Sequence, residues 1–166
     1  LHCVRDRRSV EIEYQSMNPK RAVAQWRRIT PHAFGSDGLR WHVRAYCHID
    51  NGFKDFLLSR CLKQRSIAAP GAFARDDAEW QSTIEVRLIP NPKLSDEQKT
   101  VISTEFEMQD GGTTLPIRRA LLYYFSRRLR IDVADLLKNP LEVPVVVENR
   151  EVFDKALAEA MSKLGV

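Results

Sequence analysis

One β-strand stands out in Leu39-Arg40-Trp41-His42-Val43-Arg44-Ala45-Tyr46-Cys47-His48-Ile49. Apolar residues occupy every odd position, and the even positions carry arginine, histidine or tyrosine. Because successive side chains of a strand point to opposite faces, we expect one buried face and one polar face. The stretch contains no Asp or Glu. The polar face is therefore predicted to be cationic and ring-bearing, which suits a phosphate, a nucleic-acid base or another anion.

Turn signals surround this strand and indicate a small sheet. Asn51-Gly52 predicts a tight hairpin, because both central residues of such a turn need positive φ. We expect the returning strand at Phe53–Arg60. Earlier in the chain, alternation over Ser9–Gln15 predicts a first strand, and Gln25–Thr30 a second strand that ends at Pro31. Strands this short with tight turns indicate a small barrel or rolled sheet.

The cationic face defines a candidate anion-binding site. Trp41 shares the apolar face and is expected to pack in the core, although it also borders the site. The alternative is a plain solvated strand face. The predicted ligand-binding residues are Arg28, His32, Trp41, His42, Arg44, Tyr46 and Arg60.

Four segments of this first half resemble the WYL domain of bacterial regulators. They are Arg28-Ile29-Thr30-Pro31-His32, Trp41-His42-Val43, Ala45-Tyr46-Cys47 and Phe56-Leu57-Leu58-Ser59-Arg60. The triplet that names the family departs from its pattern, with histidine in place of tyrosine and valine in place of leucine. The resemblance implies an Sm-like, SH3-like β-barrel.

Of the predicted site residues, only Trp41, His42 and Arg60 are carried over from the family's ligand pocket. The other four are added from strand geometry.

The chain is expected to divide near Asp77. The segment Lys63–Asp77 differs in composition from the strands before it, and its sequence has no pattern of a helix or strand. We therefore predict two domains, residues 1–77 and 78–166. In the second, Thr83–Ile89 alternates like a strand, and Ser95-Asp96-Glu97-Gln98 is a capping box for a helix that ends near Phe106.

The rest of the second half predicts a compact α+β domain. A helix is expected over Pro116–Arg130, a strand over Leu141–Val147, and a last helix capped by Asn149. This arrangement resembles the C-terminal extension that follows the WYL domain in many regulators. The apolar stripe of the last helix is Phe153, Ala156, Leu157, Ala160 and Leu164. Dimer or interdomain contacts are predicted at Arg119, Tyr123 and Arg127.

The distribution of charge and the small number of cysteines indicate which classes of function the chain can have. Residues 1–70 hold 13 Lys and Arg against 6 Asp and Glu, and residues 71–166 hold 13 against 16. The basic first half favours a nucleic-acid or anion site, although a simple basic surface is the alternative. Three unpatterned cysteines indicate reduced thiols in a cytoplasmic protein. No metal site, cofactor or enzyme activity is expected, since the sequence contains no ligand spacing or nucleophile motif.

The resemblance implies the ligand-sensing and dimerising region of a WYL transcriptional repressor, of the type found beside antiphage defence systems. Its expected effector is a nucleotide or single-stranded nucleic acid. Operator DNA would be bound by an upstream winged helix-turn-helix domain, and we expect a homodimer. Because the sequence begins at Leu1 without Met, we expect a fragment or processed chain.

Two other functions stay open at this point. The first is an Sm-like nucleic-acid-binding accessory module that modulates a nuclease or defence effector. The second is a protein–protein scaffold. A winged helix upstream of Leu1 would favour the regulator over the accessory module.

Overall fold

The computed structural model of the chain describes residues 1–164, and the side chains of residues 1–162. It divides into two compact units, residues 1–78 and the residues from 79 onward. Both combine antiparallel sheets with helices, so the α+β class is confirmed. None of the helices described is long and apolar enough to cross a membrane.

The first unit is built on one five-stranded antiparallel sheet, whose strands lie in the order β4-β3-β2-β1-β5. The short helix α1 precedes it. The bounds are α1 His2–Arg5, β1 Ser9–Tyr14, β2 Gln25–Ser36, β3 Trp41–Cys47, β4 Gly52–Leu57 and β5 Cys61–Ala68.

The sheet is open. Over the described residues its two edge strands, β4 and β5, do not pair with each other. Register shifts interrupt the pairing of β1 with β5 after Val10 and after Glu13, and the pairing of β2 with β3 after Pro31. Such irregularities bend strands and increase their twist. The expected closed barrel is therefore not confirmed; the pairing shows an irregular, open sheet.

One face of the sheet forms the core of the first unit. Tyr14 and Phe56 meet edge to face, with ring centroids 5.0 Å apart, and the Tyr14 hydroxyl accepts a hydrogen bond from the Leu57 amide. The apolar face predicted for β3 is buried at its centre but not at its ends, because Leu39 is 94% exposed and Ile49 52%. The polar face is not exposed as expected, since His42 and Arg44 are buried as well. The core residues are Val10, Ile12, Tyr14, Ile29, Val43, Ala45, Cys47 and Phe56.

The predicted end of β2 at Pro31 is wrong, since the strand runs on to Ser36. The carbonyl of Arg28 accepts a hydrogen bond from His48, so it faces β3. By alternation Pro31 faces the β1 side, where pairing has already ended at Ile29. A proline at this position removes no ladder hydrogen bond.

The absence of structure predicted for Lys63–Asp77 is also wrong in its first part. Residues up to Ala68 continue β5, which pairs with β1. Most β5 side chains are exposed on both faces, because β5 is an edge strand with few core contacts. An exposed edge strand lacks the alternation by which a half-buried strand is recognised.

The second unit contains a three-stranded sheet in the order β7-β6-β8. Its core gathers Val86, Leu88, Leu122, Ile131 and Phe153 with other apolar residues. The bounds are α2 Ala78–Gln81, β6 Thr83–Pro90, α3 Asp96–Glu105, β7 Thr113–Arg118, α4 Leu122–Arg128, β8 Val145–Val147 and α5 Arg150–Leu164.

Strand β6 and helix α3 of the second unit agree with prediction. Strand β6 is present, and α3 begins with the predicted capping box: the Gln98 side chain accepts from the Ser95 amide at 2.9 Å, and the Ser95 hydroxyl accepts from the Gln98 amide at 3.3 Å. These two bonds satisfy N–H groups that a helix start leaves unpaired.

The helix predicted over Pro116–Arg130 is wrong in its first half. Thr113–Arg118 is strand β7, and α4 begins only at Leu122. β7 is an edge strand, where a proline such as Pro116 is tolerated. The late strand is shorter than predicted, because Pro140–Glu142 forms a 3-10 turn before β8.

Helix α5 agrees with prediction, with Phe153, Ala156 and Ala160 buried. The Leu164 side chain of the predicted stripe lies outside the described residues. The Asn149 side chain does not serve as the predicted cap. It binds β6 instead, accepting from the Arg87 amide at 2.9 Å and donating to the Glu85 carbonyl at 2.7 Å.

Candidate functional site

Arg44 and His32, both predicted anion ligands, converge on one carboxylate of the chain itself. Arg44 donates to Asp77 from Nε at 2.8 Å and from Nη2 at 3.0 Å, and His32 Nε2 lies 3.0 Å from Asp77 Oδ2. Asp55 adds a weaker contact to Arg44 at 3.4 Å. Burial disfavours the charge of Arg44, but Asp77 and Asp55 outweigh it and raise the pKa of the guanidinium.

This network is buried: Asp77 is 1% exposed and Arg44 5%. A buried arginine with a bidentate carboxylate is already neutralised. The polar face of β3 is therefore occupied by the chain's own acidic groups, and Arg44 and His32 anchor residue 77 to the sheet.

A second internal carboxylate, Asp37, holds Arg40 and His42. Asp37 accepts from the backbone amides of Leu39 and Arg40 at 2.9 and 2.7 Å, and from the Arg40 guanidinium at 3.0 and 2.8 Å. His42 Nε2 lies 3.2 Å from the same carboxylate. The backbone hydrogen bonds, followed by those of Arg40 and His42, hold the pKa of Asp37 well below its usual range. Asp37 thus closes the turn between β2 and β3.

Arg28 and Tyr46 also have partners within the first unit. Arg28 donates to the Ser9 hydroxyl at 3.3 Å and lies 3.7 Å from Glu11. The Tyr46 hydroxyl reaches Asn51 at 3.4 Å, and its ring contacts Phe53 edge to face at 5.3 Å. These contacts give both residues a structural role.

Trp41 and Arg60 differ from the other five. Trp41 is 60% exposed, so the prediction that it packs in the core is wrong. Arg60 is half-buried, and its guanidinium makes no ion pair within the described residues. The 3-10 turn Leu58–Arg60 packs against β3, and Leu58 is 42% exposed. We call Trp41, Leu58 and Arg60 the Trp41–Arg60 surface; it offers an open ring and an uncompensated cation.

Sequence reasoning missed the carboxylates that occupy the predicted face. Asp37 had a local signal, since it lies in the Gly35-Ser36-Asp37-Gly38 turn where aspartate commonly binds backbone amides. Asp77 had none. It is 33 residues from Arg44 in the chain and lies in a segment without periodicity.

The predicted contact residues of the second unit also bind within that unit. Arg119 pairs with Glu79 at 3.5 Å and with Glu159. Arg127 lies 3.7 Å from Asp132 and 5.8 Å from the centre of the Tyr123 ring, yet it is 62% exposed. Only the outer part of this group is open to a partner.

Comparison with known families gives each unit a match. Residues 1–64 match the WYL domain, and residues 83–153 match the C-terminal dimerization domain of the BrxR transcriptional regulator. Neither describes a catalytic domain. The chain therefore combines a WYL domain with a C-terminal dimerization domain of the BrxR type.

The chain as a whole is similar to proteins named DNA-binding transcriptional repressor CapW. Identity is 36% with the Stenotrophomonas maltophilia protein, over 96% of this chain and 53% of that protein. Identity is 32% with those of Escherichia coli strain KTE188 and Pseudomonas aeruginosa, over 91% of this chain and 50% of each. The chain thus spans about half the length of these relatives.

Among solved structures, the chain resembles proteasome accessory factor B/C (PafBC) of Arthrobacter aurescens at 17% identity, with a TM-score of 0.37, over 98% of this chain and 25% of that one. A likeness at this level supports no conclusion about function.

Proposed function

We propose that this chain is the effector-sensing and dimerising region of a bacterial WYL transcriptional repressor connected with antiphage defence. The two family matches and the relatives named as DNA-binding repressors support this. In the whole protein, operator DNA is contacted by an upstream winged helix-turn-helix domain. The five-stranded sheet is an Sm-like roll that receives a nucleotide or single-stranded nucleic acid.

One observation carries the effector proposal. Most of the predicted cations are neutralised by acidic side chains of the same unit, but Arg60 has no ion pair among the residues that the structure describes. Arg60 is half-buried, and its turn packs against β3, the strand that carries the exposed Trp41. An aromatic ring can stack on any base, and a guanidinium fork binds phosphate. The Trp41–Arg60 surface therefore suits a short single strand.

The experiment is a fluorescence anisotropy titration of a labelled ten-nucleotide thymidine strand with the full chain. Arg60→Ala should weaken binding by about ten-fold or more, as expected for a charge-assisted hydrogen bond. Arg60→Lys should retain part of the affinity. Arg5→Ala, which removes a 71% exposed arginine, should change nothing.

Affinity should also fall as salt is added, because each phosphate contact releases bound counterions. The slope of log affinity against log salt should be shallower for Arg60→Ala than for the wild type. Equal affinity of the wild type and Arg60→Ala would show that this surface is not the effector site.

We further propose that the second unit holds two copies of the chain together, with Arg119, Tyr123 and Arg127 near the contact. Sedimentation velocity over a concentration series should give a dimer. Arg127→Glu should shift the equilibrium toward monomer, whereas Lys99→Glu, at a 36% exposed site on α3, should not. A monomer at every concentration would contradict the dimer proposal.

A further inference from the structure

The first unit contains an open cavity of about 400 Å³. Its walls come from three parts of the chain: the end of α1 with Arg7, the middle of β2 with Thr30 and His32, and the segment that carries Phe73 and Arg75. This volume lies within the range of small-molecule sites. The cavity shares no lining residue with the Trp41–Arg60 surface.

Internal ion pairs hold one wall of this cavity in place. Asp77 is bound by Arg44 and His32, which pins the end of the segment to the sheet. Asp76 accepts from the Phe73 amide at 2.8 Å and so closes the 3-10 turn Ala74–Asp76. A site built on such a segment needs little ordering when a ligand binds, which favours affinity.

The two arginines of the cavity are little compensated by acids. Arg7 makes no ion pair or side-chain hydrogen bond among residues 1–162. Arg75 reaches only Asp76, at 3.9 Å, and is 79% exposed. Both guanidinium groups are therefore able to bind an anion in the cavity.

Arg7 also occupies an unusual backbone position. Its φ is 50°, in the left-handed region, directly after α1. Glycine or asparagine is the common residue there, because other side chains are strained. An arginine at this position keeps a cation at the cavity in spite of the backbone cost.

The cavity also has apolar and aromatic lining. Phe73 is 41% exposed, and the Arg75 guanidinium covers one side of its ring at 4.6 Å from the centre. Val4 and Pro31 add apolar lining. Cations beside an open ring and apolar walls suit a ligand that combines an anionic group with a planar ring.

We propose that this cavity binds a small compound with a phosphate and an aromatic ring, the class that includes mononucleotides. Arg7 and Arg75 hold the phosphate, and the ring packs against Phe73. The site is separate from the Trp41–Arg60 surface, so either can fail without the other.

Isothermal titration of the full chain tests the proposal with adenosine monophosphate, adenosine and inorganic phosphate. The monophosphate should bind at least ten-fold tighter than either part alone. Arg7→Asn and Arg75→Gln should each weaken it by about ten-fold or more. Arg5→Ala should leave it unchanged.

Melting curves separate binding from folding. Because asparagine tolerates the left-handed region, Arg7→Asn should melt at the wild-type temperature or above it while losing the ligand. A variant that loses binding only because it unfolds would melt lower. The proposal is overturned if adenosine monophosphate does not bind, if the Arg7 and Arg75 variants bind it like wild type, or if Arg60→Ala weakens it equally.

A further comparison identifies the source of the phosphate. A ten-nucleotide strand with a 5′-phosphate should bind more tightly than the same strand without it if the cavity receives a strand end, and Arg7→Asn should abolish the difference. Equal binding of the two strands, with tight binding of the monophosphate, assigns the site to free nucleotides.

Discussion

Arg44 and Asp77 face each other across 33 residues of sequence and form two parallel hydrogen bonds of 2.8 and 3.0 Å. Both side chains are almost entirely buried. Each charge was taken out of water, and each is neutralised by the other, so neither can be removed alone without leaving a buried charge unpaired.

Arg44→Ala should therefore lower the free energy of unfolding by about 3–5 kcal/mol, the usual cost of breaking a buried ion pair. Urea unfolding followed by tryptophan fluorescence measures it. Arg40→Ala is the control: Arg40 is 55% exposed in its pair with Asp37, and its loss should cost less than about 1 kcal/mol.

The double variant Arg44→Met with Asp77→Leu should recover part of the stability lost in Arg44→Ala, because it removes both charges of the bidentate pair. Recovery is incomplete because Asp55 and His32 each lose a contact with that pair. If Arg44→Ala instead unfolds like the wild type, Arg44 is not the anchor described here, and an anion-binding role for it becomes tenable again.

Gly71→Ala should destabilise the first unit. A Cβ at this position would lie 2.3 Å from the His48 ring, which is held by a 2.9 Å hydrogen bond to Thr30. We expect a cost of about 1–3 kcal/mol for this overpacking. In Gly52→Ala the nearest atom is a carbonyl oxygen at 3.8 Å, so that variant is the control for adding a methyl group.

A double-mutant cycle with His48→Ala identifies the cause. Once the ring is absent, Gly71→Ala should cost much less than it does in the wild type. An unchanged cost would mean that backbone conformation, and not the ring, makes glycine necessary at this position.

His48 should make stability depend on pH. Burial, followed by the positive charge of Arg28, lowers the pKa of His48 from its ordinary 6.5. As the pH falls, the unfolded chain therefore binds a proton at His48 before the folded chain does. The free energy of unfolding is consequently highest, as far as His48 is concerned, above pH 6.5, and it decreases as the pH falls below that value. An NMR titration of the imidazole should give a midpoint below 6.5.

Arg28→Gln should raise that midpoint part of the way, because burial remains, and Arg21→Gln should not move it. A wild-type midpoint at or above 6.5 would contradict the assigned environment of His48.

Asn149→Ala should destabilise the second unit, because two backbone groups of β6 lose their partners, the Arg87 amide and the Glu85 carbonyl. We expect a loss of about 1–3 kcal/mol in urea unfolding. Asn139→Ala is the matched control, since Asn139 caps one amide, that of Leu141, at an exposed turn, and should cost about 1 kcal/mol. Equal losses would mean that Asn149 does not extend the sheet.

The sequence predicted the elements whose signals are local. The alternation in β1 and β6 and the capping box at Ser95 identify elements that the structure contains. β7 was missed because Ile117 lies at helical spacing from Ala120 and Leu121, so the helix was predicted to begin at Pro116. Its strand conformation is decided by pairing with β6, which is a tertiary interaction.

The prediction of the binding site was incomplete for the same reason, because tertiary contacts decide which residues are available. Residue types on the polar face of β3 correctly indicated concentrated positive charge, but periodicity cannot show which acids return from elsewhere in the chain. Asp77 is distant in sequence, and Arg7 lies in a basic segment without a pattern. The open Trp41 ring could not be predicted either, because it stands at the exposed end of a strand whose centre is buried.

The position of Asp77 also determines how far a fragment that contains only the first unit must extend. The match to the WYL domain ends at residue 64. A protein trimmed there would keep Arg44 and His32 in the interior but discard Asp77, their shared counter-ion. Expression plasmids for the isolated first half should therefore extend to residue 78, where the compact unit ends.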